Sequence, residues 1–86
     1  MGSRKRKEIS LVLYSKPKCS ACRLLKKYLD DRNLHYIEIS YDELKNDKEK
    51  RMEYQNLNTK TFPTLWDRNE GWIISGYNKK KLEQLL

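Results

Sequence analysis

Tyr14-Ser15-Lys16-Pro17-Lys18-Cys19-Ser20-Ala21-Cys22 joins two different periodicities. To its left, Ile9, Leu11, Val12, Leu13 and Tyr14 make a short apolar, β-rich run, which predicts a buried strand over Glu8–Tyr14. Within it, Pro17 disfavours helix at Lys16 and so breaks the run. To its right, Ala21, Leu25, Tyr28, Leu29 and Arg32 recur at helical spacing, with Cys22 one turn before Leu25 on the same side. The spacing predicts a helix from Cys19 or Ser20 to Arg32, closed by Asn33, a residue tolerant of left-handed geometry.

Further out, Tyr36-Ile37-Glu38-Ile39 reads as a second strand. Strand, helix and strand within some 30 residues form a βαβ unit, so the two strands should lie parallel. A charged helix is expected from Tyr41 or Asp42 to Asn56, with Leu44, Met52 and Tyr54 inward. Thr64-Leu65-Trp66 and Trp72-Ile73-Ile74, joined by the polar link Asp67–Gly71, suit an antiparallel hairpin. Lys79–Leu86 closes the chain as a helix capped by Asn78, with Leu82, Leu85 and Leu86 inward. The expected order is βαβαββα.

The two cysteines carry the chemistry. A thiol at the start of a helix meets unpartnered backbone N–H groups and the positive end of the macrodipole. Lys16, Lys18 and Arg23 add positive potential, so Cys19 is expected to be exposed and more acidic than a free cysteine. Cys22, one turn further in, should be shielded. Such a pair can attack a disulfide through Cys19 and release the product through Cys22, the two Cβ atoms lying about 4 Å apart. Structural zinc needs four ligands, and His35 is the one further side chain of the usual kind, so no metal is assigned. His35 is read as a loop residue.

The chain has 86 residues, enough for one domain, and is 37% hydrophobic and 36% charged. No apolar run approaches the roughly 20 residues of a membrane span, and no signal-peptide pattern opens the chain. A cytoplasmic protein is expected. Of the net charge of +7, Arg4, Lys5, Arg6 and Lys7 supply four, leaving +3 on residues 8–86 (15 basic against 12 acidic). Residues 1–7 read as a basic, disordered arm, and residues 8–86 as the folded domain. A nucleic-acid partner is not expected, because short basic arms are commonly just solvated. Lys79, Lys80 and Lys81 read either as a solvated face or as a surface for an acidic partner.

Three segments in order resemble the glutaredoxin family. Tyr14–Cys22 resembles its active-site segment, Thr61-Phe62-Pro63 its Thr-Val-Pro loop, and Ser75-Gly76-Tyr77 its glycine pair before the last helix. The resemblance spans Glu8 to Leu86. It implies an α/β thioredoxin fold: a four-stranded mixed sheet in order 2-1-3-4 with three helices. It implies a cis peptide before Pro63, with Pro63 facing Cys19 and the Phe62 backbone free to pair with an extended substrate. Substrate contacts are thereby implied for Lys16, Phe62, Pro63, Gly76 and Tyr77, with Thr61 in support. Where the family carries an acidic residue toward the γ-glutamyl ammonium of glutathione, this chain has Lys79.

The activity implied is a dithiol thiol–disulfide oxidoreductase, a monomer with no tightly bound cofactor, reducing protein disulfides. Glutathione or thioredoxin reductase would regenerate it. Ser75-Gly76-Tyr77 is also similar to the segment of the glutaredoxin-like redoxins that serve ribonucleotide reductase, which makes that enzyme a candidate partner. The alternative is a redox-switch regulator of the arsenate-reductase-like kind, which Cys22-Arg23 fits, sensing oxidants without turnover. An iron–sulfur carrier using Cys19 is a third reading.

Overall fold

The computed structural model describes residues 9–86, so the basic arm of residues 1–7 and Glu8 lie outside the described residues. Four strands, β1 (Leu11–Ser15), β2 (Ile37–Ser40), β3 (Thr64–Asp67) and β4 (Ile73–Ser75), form one sheet in the order β2-β1-β3-β4. β1 and β2 are parallel, with Val12 opposite Ile37 and Tyr14 opposite Ile39. β3 runs antiparallel to both β1 and β4. The central strand β1 is the most apolar and is buried along its whole length, as cover on both faces requires.

Helices cover both faces of the sheet. On one, Leu11 and Leu13 of β1 meet Leu25, Tyr28 and Leu29 of α1 (Ser20–Asp31) and Leu82 of α4 (Lys79–Leu85), together with Leu65 and Ile74. On the other, Val12, Tyr14 and Ile39 pack with Leu44 of α2 (Tyr41–Asn46) and Tyr54 of α3 (Lys48–Asn56). The period-2 alternation along β1 sends successive side chains to opposite cores. The expected fold holds: α/β, mixed sheet, parallel βαβ unit and hairpin.

Three details differ from the sequence reading. The expected second helix is two helices, broken at Asp47, so there are four helices among the described residues rather than three. Asp47 is extended (φ −125°, ψ 109°), ending α2 and capping α3 by accepting from the Lys50 N–H at 3.2 Å. A side chain that satisfies an orphan N–H lets a new helix start there without proline or glycine. Met52, expected inward, is 51% exposed, because the break rotates the α3 face that the sheet covers to Tyr54. Leu85 and Leu86, expected inward, are likewise exposed; the short α4 buries only Leu82.

Candidate functional site

β1 ends on Ser15, and the chain turns through Lys16-Pro17-Lys18 before α1 begins. Lys18 takes a left-handed backbone (φ 55°), a conformation that costs a non-glycine residue roughly 1–2 kcal/mol. That turn delivers Cys19 to the N-cap of α1, where its Sγ accepts the Cys22 N–H at 3.2 Å. The sequence reading placed Cys19 at the helix start in the open; it stands at the helix start but is only 9% exposed. The loop before β3 accounts for that cover. The Phe62–Pro63 peptide is cis, and the Phe62 carbonyl oxygen lies 3.9 Å from Cys19 Sγ.

Both cysteines are free thiols, yet they are not equivalent. Partial burial pushes the Cys19 thiol up, but hydrogen bonds from the Cys22 side chain and N–H outweigh it. The Lys16 charge and the Ala21 N–H add to them, and the thiol ends below its usual range. The Phe62 carbonyl can only favour the protonated form, and at 3.9 Å it is a weak contact beside the 3.2 Å bond from Cys22. Cys22 is pushed up to about 11, first by burial and then by the hydrogen bond it gives Cys19. The helix terminus thus makes one of two identical side chains the more acidic and the other the less acidic.

The remaining candidate residues fall into two groups. Gly76 N–H donates to the Pro63 carbonyl at 2.7 Å, which ties Ser75-Gly76-Tyr77 to the cis-proline loop. Gly76 sits at φ +78°, a backbone that an L side chain rarely adopts. Thr61 is exposed, but its carbonyl is fixed by the Tyr54 hydroxyl at 3.2 Å and by the Thr64 hydroxyl. Among the described residues no hydrogen bond engages the Phe62 N–H. Lys16 and Lys18 are exposed in the turn before Cys19, and Arg23 is exposed on α1. Lys16 is the cation whose charge acts on Cys19. Tyr77 is half-buried against the α1 core. Lys79, Lys80 and Lys81 are all exposed in the first turn of α4, which carries no acidic residue.

The sequence reading missed what backs Phe62. Its ring stacks on Tyr54 (centroids 5.3 Å apart, planes at 18°) and meets the Tyr41 ring edge-on at 5.9 Å. The three aromatics are spread over 22 positions, so no local pattern linked them; Ser40-x-x-Glu43, a capping box that fixes where Tyr41 starts α2, was the one available signal. His35 is exposed, and no group of three or more His, Cys, Asp or Glu suited to a metal occurs among the described residues. No helix among them is long and apolar enough to cross a membrane.

The family model described as Glutaredoxin matches residues 11–72. A glutaredoxin-like 8.6 kDa protein encoded in a rubredoxin operon of Clostridium pasteurianum, itself uncharacterised, is 28% identical over 77 residues, spanning 88% of this chain and 96% of the relative. The crystal structure of the thioredoxin-like protein BC3987 superposes with a TM-score of 0.74 at 27% identity, covering 88% of this chain and 99% of that one. The glutaredoxin from Archaeoglobus fulgidus has the same fold, with a TM-score of 0.74 at 19% identity over 98% and 97% of the two chains.

Proposed function

This chain belongs to the glutaredoxin family, and from that we propose that it is a dithiol oxidoreductase that reduces protein disulfides. Cys19 attacks one sulfur of the substrate disulfide, forming a mixed disulfide and expelling the other sulfur as a thiolate that takes up a proton. Cys22 then loses its proton and attacks Cys19 Sγ. The second substrate sulfur leaves as a thiol, and the pair is left oxidised. Two electrons pass from the two cysteines to the substrate, and an external dithiol or glutathione must return them. The observation that carries this reading is the opposed acidity of Cys19 and Cys22 across one helical turn.

The Phe62 N–H and C=O lie immediately before the cis-proline, so an extended substrate can pair there as an added strand. Lys16 is a candidate for a substrate carboxylate. Gly76 and Tyr77 would border the opposite side, with Thr61, Lys18 and Arg23 in support. Lys79 faces away from glutathione chemistry, since its ammonium repels the γ-glutamyl ammonium. Thioredoxin reductase is therefore the proposed electron source, and ribonucleotide reductase is the proposed acceptor class. We place this chemistry in the cytoplasm, in a monomer.

The test is turnover of a small disulfide with NADPH and thioredoxin reductase in one reaction and with glutathione and glutathione reductase in another. NADPH oxidation with the first, lost in Cys19→Ser, is the expected result. Cys22→Ser should accumulate a mixed disulfide visible by mass spectrometry. No turnover with either reductant would leave the redox-switch reading standing instead.

A further inference from the structure

A cavity of about 500 Å³ is lined in part by Phe62 and does not include Cys19 among its lining residues. Tyr41, Leu44, Tyr54 and Phe62 form its apolar wall, and Arg51, Gln55 and Lys60 stand among its lining residues. Its apolar surface is not sealed: Tyr41 is 44% exposed although its ring packs edge-on against Phe62. The wall is continuous with the proposed reaction centre, because one residue, Phe62, presents its carbonyl to Cys19 Sγ and its ring to the cavity.

The charged residues in its lining, Arg51 and Lys60, are both cationic. Arg51 donates Nη1 to the carbonyls of Leu44 and Lys45, at 3.1 and 3.0 Å, which fixes a guanidinium among the cavity's lining residues with no carboxylate as its partner among the described residues. Lys60 is exposed. Of the carboxylates on α2 and α3, Glu43 is paired with Lys50 at 2.9 Å and Asp42 with Lys45 at 3.9 Å, while Glu53, beside Tyr54, makes no ion pair among the described residues and is not among the cavity's lining residues.

We infer that this cavity is a side-chain subsite for protein substrates, taking an aromatic residue that flanks the reactive cysteine and is itself followed by an acidic residue. The inference rests on the oxidoreductase reading for its context and adds the substrate class. An incoming ring completes the edge-to-face arrangement that Tyr41 and Phe62 begin, a geometry aromatic pairs prefer. The acidic neighbour meets Arg51 and Lys60, where a lysine would be repelled. A substrate strand paired to the Phe62 backbone puts alternate side chains on that side, which is where specificity of strand addition resides.

The experiment uses the reduced protein and short peptide disulfides built on Glu-Phe-Cys-Phe-Glu, with Ala for Phe or Lys for Glu as counterparts, and bis(2-hydroxyethyl) disulfide as the small substrate. The aromatic acidic peptide should be reduced with kcat/KM roughly two- to tenfold above its alanine counterpart, the worth of one aromatic pair. Gln55→Trp, which fills the cavity from an exposed position, and Tyr41→Ala, which removes its outer wall, should each erase that ratio. Failure on the small disulfide would remove the oxidoreductase reading. Turnover without aromatic preference, or a preference surviving both substitutions, would remove the subsite. Binding is read separately by NMR titration with the serine-for-cysteine peptide, which cannot react: resonances of Tyr41, Leu44 and Gln55 should move, and their stillness at millimolar peptide overturns the inference whatever the turnover shows.

Discussion

Cys19 and Cys22 start from the same chemistry, and their surroundings separate them in a way that fixes the pH dependence of each step. The first attack needs the Cys19 thiolate, which the Cys22 donors and Lys16 favour over the thiol against the opposing effect of burial. Its rate should therefore level off at a pH below the ordinary cysteine value of about 8.5. The second attack needs the Cys22 thiolate, and that group is pushed up to about 11. In the mixed disulfide Cys19 no longer carries negative charge, so its share of that shift is relieved, while burial remains. Below the Cys22 value, the thiolate fraction climbs with pH, so resolution should quicken by about tenfold per unit through the neutral range. Stopped-flow measurements on Cys22→Ser isolate the first step, and those on the unsubstituted protein add the second. Parallel profiles for the two would sink the assignment of attacking and resolving roles. Lys16→Gln removes the one cation acting on Cys19 and should move the first inflection upward.

At the scale of elements, the break between α2 and α3 sets the angle at which Tyr41 and Tyr54 reach Phe62. Asp47 ends one helix and caps the next, so Asp47→Ala should cost about 1 kcal/mol, the usual worth of an N-cap. A urea midpoint lowered accordingly, with faster hydrogen exchange at the Lys50 amide, would bear this out; an unchanged midpoint would mean that helix contacts, not the cap, hold the break. The sequence hid this element because charged residues at 42–53 blur any apolar period, and no proline or glycine marks position 47. A cap is written in a single Asp, which looks like any other charge in such a run. By contrast α1 was legible almost to the residue, since Cys22, Leu25, Tyr28 and Leu29 bury one face and Asn33 ends it at φ 56°.

For the whole molecule, the sheet is sandwiched between two small cores, and its apolar supply is thin. β1 was readable as a buried strand because its apolar run Leu11–Tyr14 is buried on both faces, whereas the strand order came from the resemblance of three motifs to the glutaredoxin family. In the last helix Leu82 was read correctly as inward but Leu85 and Leu86 were not, since periodicity says which side chains share a face but not how much of that face is covered. That distinction has a thermodynamic consequence. A domain of this size is stable by about 5–15 kcal/mol, and truncating a fully buried leucine costs about 2–5 kcal/mol. Leu29 has no exposure and lies among Leu13, Leu25 and Leu65, so Leu29→Ala should lower Tm by roughly 10 °C or more, at about 4–8 °C per kcal/mol. Met52, just as apolar but half in solvent and outside both cores, should tolerate alanine within about 0.5 kcal/mol, because its removal opens no enclosed cavity. Thermal unfolding of the two variants side by side decides the matter. Comparable losses from both would mean that α3 turns Met52 toward the sheet after all, and with it the aromatic wall that backs Phe62 would have to move.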